Sequence, residues 1–246
     1  MILKVINSNS AGNAYILENE EEALLIECGV KFDKIMQALA FNLQKVKGAI
    51  VTHEHNDHSK AMRKVLENGI EVWTTRGTHY ACGTDQHHRA RFISSKQEVQ
   101  IGNFRVMAFS IKHDAADPVG FLINHSETGT VLFLTDSYYS EYTFSGLNNV
   151  IIEANYSQQI LQQKLDNGYV IPYLRNRIIK SHMNIETCQK LLQANDLSKV
   201  NNILLIHLSD SNSDAKLFRE IITAATGKNV TIAESGLSIP FNKNPF

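Results

Sequence analysis

The sequence contains few cysteines: Cys28, Cys82 and Cys188 are the only three in 246 residues. Their wide spacing argues against a disulfide framework or a cysteine zinc knuckle, so we expect buried, reduced thiols. No apolar run approaches the roughly 20 residues that a membrane-spanning helix requires. The first apolar residues lead directly into the polar stretch Asn7–Ser10, which does not fit a secretory signal. These absences predict a cytoplasmic protein that is not held in a membrane.

Charge of neither sign is in excess. The chain has 24 lysines and arginines against 25 aspartates and glutamates, a formal net charge of −1 with neutral histidines. A strong global field that attracts nucleic acid is therefore absent, which argues against a sequence-specific DNA-binding protein. A phosphate-containing substrate is still compatible with this composition, because a local basic rim is sufficient to bind it.

The chain also lacks internal repeats, low-complexity segments and linkers rich in proline and glycine. Its hydrophobic content of 43% and charged content of 20% are ordinary for a globular protein, and we predict a single domain over residues 1–246. In each half, strand-like apolar runs come first in meanders and then alternate with helical patterns. This order predicts an α/β sandwich in which two sheets have helices on their outer faces.

Helical spacing is clearest in four stretches, and the shorter segment Ala61–Glu67 is also helix-like. The predicted helices are Lys34–Leu43, Gln158–Leu165, Asn184–Ala194 and Ser213–Thr226. Asn184 is a possible N-cap of the third, because its side chain can accept a hydrogen bond from a backbone amide in the first helical turn.

The most informative stretch is residues 51–60, which read Val-Thr-His-Glu-His-Asn-Asp-His-Ser-Lys after a run typical of a buried strand. Four potential metal ligands fall within six of these residues: His53, His55, Asp57 and His58. In an extended or tightly turned segment alternate side chains share a face, so one turn can serve two adjacent metals. We predict that His53 and His55 bind the first metal and that Asp57 and His58 bind the second. A histidine-rich surface loop is the alternative, but such residues are costly to place after a buried strand without a purpose.

The pattern His-X-His-X-Asp-His after a strand is the signature of the metallo-β-lactamase superfamily, which this chain resembles. The resemblance implies an αββα sandwich of two mixed β-sheets flanked by helices, and two divalent metal ions, Zn²⁺ or Mn²⁺. It also implies further ligands just after apolar strands. His113 would complete a three-histidine site, Asp136 would bridge both metals, and His207 would bind the second metal.

The resemblance implies a hydroxide held between the two metals for attack at phosphorus. Asp57 can orient this hydroxide as well as bind metal, which makes it a candidate catalytic residue. Glu27 stands where the superfamily usually has an aspartate. Because its side chain is longer by one methylene, we expect Glu27 to hydrogen-bond a ligand histidine from a shifted position.

Several other segments resemble the YycJ (WalJ) branch of the superfamily and its phosphodiesterase relatives. They are residues 8–13, 153–156, 173–177, 181–184 and 207–212. In that branch the histidine that corresponds to His182 is not a metal ligand but faces the metals, where it serves phosphate binding or general-acid catalysis. Arg175 and Arg177 are candidates for binding phosphate oxygens, and a solvated pair of loop residues is the alternative.

These features predict a dinuclear metal-dependent hydrolase, and more specifically a phosphodiesterase or nuclease with a nucleic acid as its substrate. The branch implies 5′-to-3′ exonuclease activity on DNA. The same site could instead hydrolyse a cyclic phosphodiester, a thioester or a lactone, which the near-neutral charge leaves open. A non-hydrolytic di-iron redox protein is disfavoured, because such members usually have glutamate where this chain has His55. The sequence leaves the native metal and the oligomeric state open.

Overall fold

Two seven-stranded β-sheets form the centre of the computed structural model, which describes residues 1–244. In chain order the strands are β1 (Ile2–Asn9), β2 (Gly12–Glu18), β3 (Ala23–Ile26), β4 (Val46–Ile50), β5 (Val72–Thr74), β6 (Ala90–Phe92), β7 (Glu98–Ile101), β8 (Phe104–Ser110), β9 (Val119–His125), β10 (Gly129–Leu134), β11 (Leu147–Glu153), β12 (Asn202–Ile206), β13 (Asn229–Ile232) and β14 (Ser238–Pro240). The first sheet has the order β14-β1-β2-β3-β4-β5-β6, and the second has the order β13-β12-β11-β10-β9-β8-β7.

Both sheets are mixed in the same way. Neighbouring strands pair antiparallel from β1 through β3 in the first sheet and from β7 through β10 in the second. Neighbouring strands then pair parallel from β3 through β6 and from β10 through β13, and most of the connections between these strands contain a helix. Each half therefore begins as a meander and continues as alternating strands and helices, as the sequence predicts.

The described residues form eight α-helices, several of which pack on the outer faces of the two sheets. They are α1 (Phe32–Ala38), α2 (Asn56–Ser59), α3 (Met62–Glu67), α4 (Arg76–Ala81), α5 (Gln158–Asp166), α6 (Pro172–Ser181), α7 (Ile185–Gln193) and α8 (Ala215–Thr226). Ile35 and Val65 pack on the outside of the first sheet, and Leu192 and Phe218 pack on the outside of the second. The predicted αββα sandwich is confirmed. No helix among residues 1–244 is long and apolar enough to cross a membrane.

The main core lies between the sheets, and the period of two along each strand decides which side chains enter it. In β10, Val131 and Phe133 face this core, whereas Leu132 and Leu134 face the helices. Both faces of the central strands are therefore buried, which explains why their sequences are continuous apolar runs rather than alternating ones.

Two helices differ from the prediction. Helix α1 ends at Ala38 rather than Leu43, because Ala40 and Phe41 adopt left-handed backbone angles with φ of 48° and 61°. Helix α6 begins with Pro172 at its first turn and was not predicted. Most of its apolar residues are exposed, so the sequence has no single buried stripe that would reveal a helix.

Candidate metal centre

The predicted metal ligands lie in loops that follow the carboxyl ends of strands. They are His53, His55, Asp57 and His58 after β4, His113 after β8, Asp136 after β10 and His207 after β12. Strands β3 and β4 are parallel, as are β10, β11 and β12, so their carboxyl ends meet at one edge of each sheet. The packing of the two sheets brings these edges together around one centre.

One group of donors consists of His53, His55 and His113, whose ligating nitrogens lie within 4.8 Å of one another. The Nε2 atom of His113 is 3.1 Å from Nδ1 of His55. Burial, and after it the charge of His58, lowers the pKa of His53 well below the ordinary value, and burial also lowers the pKa of His113. Since neutral imidazole is the form that binds a metal, these surroundings favour the ligating state.

A second group consists of Asp57, His58, Asp136 and His207, again with ligand atoms within 4.8 Å of one another. Asp136 is central, with Oδ2 2.7 Å from His58 Nε2 and Oδ1 2.7 Å from His207 Nδ1. Its Oδ2 also lies 3.3 Å from Nε2 of His53, a member of the first group. The Asp136 carboxylate therefore contacts both groups, which is the position expected of a bridging ligand.

Buried charge sets the protonation of the second group. Burial lowers the pKa of His58 and of His207, but the surrounding carboxylates, Asp136 foremost, together outweigh burial and raise both pKa values well above the ordinary value. Burial raises the pKa of Asp136, yet the charges of the two histidines hold it well below its usual range. The carboxylates thus keep protons on the imidazoles, and a divalent cation can replace those protons as the neutralising charge.

Two buried ring nitrogens show that these residues fit metal ions. Among the described residues, Nε2 of His53 and Nε2 of His207 are buried and have no hydrogen-bond partner. A buried polar atom left unpaired costs roughly 1–3 kcal/mol, so two of them at one centre fit a site that binds metal ions. Histidine nitrogens and carboxylate oxygens suit Zn²⁺ and Mn²⁺, and each donor group could hold an ion.

Polar groups outside the two donor groups orient the histidine rings, through hydrogen bonds at His53 and His113 and through a nearby carboxylate at His58. The Thr52 hydroxyl lies 2.9 Å from Nδ1 of His53, and the carbonyl oxygen of Ser181 lies 2.9 Å from Nδ1 of His113. Glu27 Oε2 is 3.5 Å from Nδ1 of His58, and its Oε1 accepts a 3.2 Å hydrogen bond from the Thr52 amide. Such partners fix the ring orientation of a ligand and raise its basicity.

Three residues of the centre adopt left-handed backbone angles although none is glycine. Glu27 has φ of 65°, Asp136 has φ of 48° and His207 has φ of 54°. Each follows a strand end by one or two residues, and the turn directs its side chain into the centre. Such conformations cost roughly 1–3 kcal/mol each and persist where the surroundings hold them. For His207 these surroundings include the Ser8 hydroxyl, which accepts from its amide at 3.0 Å.

Glu153, which is fully buried at the end of β11, was not among the predicted site residues. Its Oε1 accepts hydrogen bonds from Nδ1 of His182 at 2.8 Å and from Nδ1 of His207 at 3.0 Å. Its Oε2 accepts from the amides of Met183 at 3.0 Å and Ser137 at 3.3 Å. One carboxylate therefore fixes two histidines of the centre. A carboxylate that directly follows the apolar run Val-Ile-Ile was the available signal.

His182 caps the end of α6 and faces the centre from the second half of the chain. Its Nδ1 atom is 3.2 Å from Oδ1 of Asp136, in addition to its bond with Glu153. Burial lowers the pKa of His182, but the Glu153 and Asp136 carboxylates outweigh it and raise the pKa to about 9. The imidazole is thus protonated at neutral pH, with Nδ1 held by carboxylates.

A cavity of about 300 Å³ opens onto the centre. It is lined by Ser10, His55, Asp57, His113, Asp114, Asp136, Leu174, Arg177, Ile178, Ser181, His182 and His207. His53 and His58 are fully buried and do not line it. The two donor groups and His182 therefore share one opening to a ligand.

The two predicted arginines occupy different positions on α6. Arg177 lines the cavity, whereas Arg175 does not, and Nη1 of Arg175 donates to the side chain of Asn176 at 3.1 Å. Residues two apart on a helix point in different directions, so the two guanidinium groups do not form one fork. The structure brings Arg177, and not Arg175, to the centre.

An αββα sandwich with histidine and aspartate donors at its strand ends defines a class of metal-dependent hydrolases. The sequence profile of the Metallo-beta-lactamase superfamily matches residues 8–137, which is more than half of the chain. The chain belongs to this superfamily. The matched region contains all the predicted metal ligands except His207.

Individual relatives agree with this assignment. Exodeoxyribonuclease YycJ of Bacillus anthracis is 25% identical over 232 residues, which cover 87% of this chain and 85% of the relative. Exodeoxyribonuclease WalJ of Streptococcus pneumoniae serotype 2 is 24% identical over 253 residues, with coverage of 96% and 91%. The metallo-beta-lactamase fold protein YhfI of Bacillus subtilis superposes with a TM-score of 0.73 at 16% identity, covering 97% of this chain and 99% of that one. The predicted resemblance is confirmed, and the chain is a metal-dependent hydrolase.

Proposed function

We propose that the chain is a dinuclear phosphodiesterase that degrades DNA from an end, as an exonuclease does. The observation that carries the proposal is the position of Asp136, whose carboxylate lies within 3.3 Å of nitrogens from both donor groups. A shared carboxylate suits two neighbouring divalent ions, Zn²⁺ or Mn²⁺. Such ions supply Lewis acidity and activate water for in-line displacement at phosphorus.

Asp57 and His182 are the residues that we assign to proton handling. The Asp57 carboxylate lines the cavity, and hydrogen bonds from His207 and His58 outweigh burial and lower its pKa, so it is an ionised acceptor that can orient water. Glu153 accepts from Nδ1–H of His182, and the raised pKa of this ring favours a second proton on Nε2 that can be donated to a departing alkoxide. Arg177 is placed to bind a phosphate oxygen at the cavity rim.

DNA as the substrate is supported by the relatives, since two of them are named exodeoxyribonucleases and align with most of this chain. A second function has its own support. A cavity of about 300 Å³ and a net charge of −1 also suit a small cyclic phosphodiester, thioester or lactone. The same centre would hydrolyse that ester without a nucleic-acid groove.

The deciding experiment measures hydrolysis of bis(p-nitrophenyl) phosphate beside DNA labelled at the 5′ or the 3′ end, single-stranded and double-stranded. Zn²⁺ and Mn²⁺ are supplied separately. His55→Ala serves as the blank, and His88→Ala, which changes an exposed histidine outside the cavity, is the matched control. Stepwise loss of DNA from the 5′ end that is abolished only by His55→Ala is the expected result. Cleavage of the small diester alone would replace the nuclease with a small-molecule phosphodiesterase.

A further inference from the structure

A patch of exposed apolar side chains lies at the start of α6. Tyr169 is 81% exposed, Tyr173 is 77% exposed, and Ile171 lies between them with 62% exposure. We call these three residues the aromatic rim. Large apolar side chains that cluster at the surface usually mark a place where a ligand or partner binds.

The backbone of the aromatic rim is anchored, although its side chains are exposed. Val170, inside the rim segment, is buried in a small cluster with Tyr156 and Leu161, and Ile178 packs against the same cluster. The Tyr169 amide donates to the carbonyl oxygen of Lys164 at 2.9 Å. A packed base therefore holds the side chains of the aromatic rim outward. Binding of a ligand to this segment loses less conformational entropy than binding to a loose loop would.

Helix α6 connects the aromatic rim to the catalytic cavity. Its cavity-lining residues Leu174, Arg177, Ile178 and Ser181 follow the spacing of one helical face. Tyr173 precedes Arg177 by four residues, so the two side chains are neighbours on the helix surface. A DNA strand that crosses the aromatic rim along α6 would reach the metal centre.

The local charge suits a polyanion. Residues 167–185 contain Arg175, Arg177 and Lys180 and no aspartate or glutamate, in a chain whose net charge is −1. Arg177 and Lys180 are both exposed. Phosphates that pass along α6 would therefore meet cations without opposing carboxylates from the same segment.

We propose that the aromatic rim stacks the bases of a single-stranded DNA end while Arg177 and Lys180 bind its phosphates, so that the terminal phosphodiester is directed into the cavity. The inference rests on the proposed nuclease function and adds that the site receives single-stranded DNA. Tyrosine rings stack on any base, and neighbouring cations follow the backbone, which together give binding without sequence preference. Continuity with the cavity and the three cations of residues 167–185 favour DNA over a second protein as the occupant.

The test compares the double variant Tyr169→Ala/Tyr173→Ala with Tyr80→Ala. Tyr80 is 76% exposed on α4 and does not line the cavity, so it controls for the loss of an exposed tyrosine. Binding of a fluorescent single-stranded oligonucleotide with phosphorothioate linkages is measured by anisotropy, together with binding of an abasic strand of equal length. We expect the double variant to raise Kd for the normal strand roughly 5- to 100-fold, and Tyr80→Ala to leave it unchanged. The double variant and Tyr80→Ala should bind the abasic strand with similar, weak affinity.

Equal binding of the normal strand by wild type and double variant would overturn the proposal, and so would a wild type that binds no single-stranded DNA. A wild-type dimer that the double variant converts to monomer, with DNA binding unchanged, would assign the rim to contact between two copies of the chain. Turnover on end-labelled DNA separates the two proposals. If wild type binds DNA through the rim but degrades none, the exonuclease assignment fails and the rim assignment stands.

Discussion

Replacing Glu153 with glutamine removes one charge from the centre while keeping the size of the side chain. The carboxylate accepts four hydrogen bonds, two from histidine rings and two from backbone amides, at 2.8–3.3 Å. A glutamine can accept with one end only. Its NH₂ group must then face either the two ring nitrogens or the two amides, so about two buried donors lose their partner.

Each buried donor that loses its partner costs roughly 1–3 kcal/mol, so Glu153→Gln should destabilise the protein by about 2–6 kcal/mol. Loss of orientation at His182 and His207 should reduce turnover of bis(p-nitrophenyl) phosphate roughly 10- to 100-fold. Thermal melting measures the first effect and steady-state kinetics the second. Glu220→Gln, an exposed residue on α8, is the matched control. A Glu153→Gln protein that melts and turns over like Glu220→Gln would refute this account of the buried carboxylate.

Three further predictions concern other parts of the molecule. Asp57→Ala and His182→Ala should both abolish turnover. Metal analysis should show lowered metal content only for Asp57→Ala, because His182 lies outside the proposed ligand set. Stoichiometric metal loss in His182→Ala would contradict that division of roles. Gly29→Ala should destabilise the protein by about 3 kcal/mol or more in melting experiments, because the new Cβ would collide with the backbone carbonyl of Asp57, and a variant that melts like wild type would contradict this. Burial raises the pKa of Glu22, but hydrogen bonds from Asn103 outweigh burial and lower it. The stability that this carboxylate contributes is therefore present above its unfolded pKa and is lost as pH falls through its folded pKa. In urea denaturation Glu22→Gln should thus show a smaller difference in stability between pH 7 and pH 3 than wild type, and an unchanged difference would argue against this role.

The positive φ angles at Glu27, Asp136 and His207 place backbone strain at the centre itself. Ile26, Phe133 and Ile206 face the core between the sheets, so a strand that continued in extended geometry would turn Glu27, Asp136 and His207 to the outer faces. The surrounding hydrogen bonds hold the turns, including the bond from the Glu27 amide to the Ile50 carbonyl oxygen at 2.9 Å. The strain is therefore the local cost of joining donors from two sheets at one point.

The sequence by itself determined the features that depend on local pattern. Residues 53–58 contain four potential metal ligands in one turn, and spacing along a short segment fixes which of them can share a face. Apolar runs and helical spacing predicted the two sheets and the outer helices for the same reason. His113, Asp136 and His207 were linked to this turn only through the superfamily resemblance, since no local pattern connects residues so far apart.

The tertiary structure decided which distant groups meet. Glu153 contacts His182 and His207, which lie 29 and 54 residues further along the chain, so nothing near it in sequence marks its role. Arg175 and Arg177 look equivalent in the sequence, and only the unpredicted helix α6 turns one of them toward the cavity. The aromatic rim became visible for the same reason, because exposure depends on how a helix packs and not on the residues it contains.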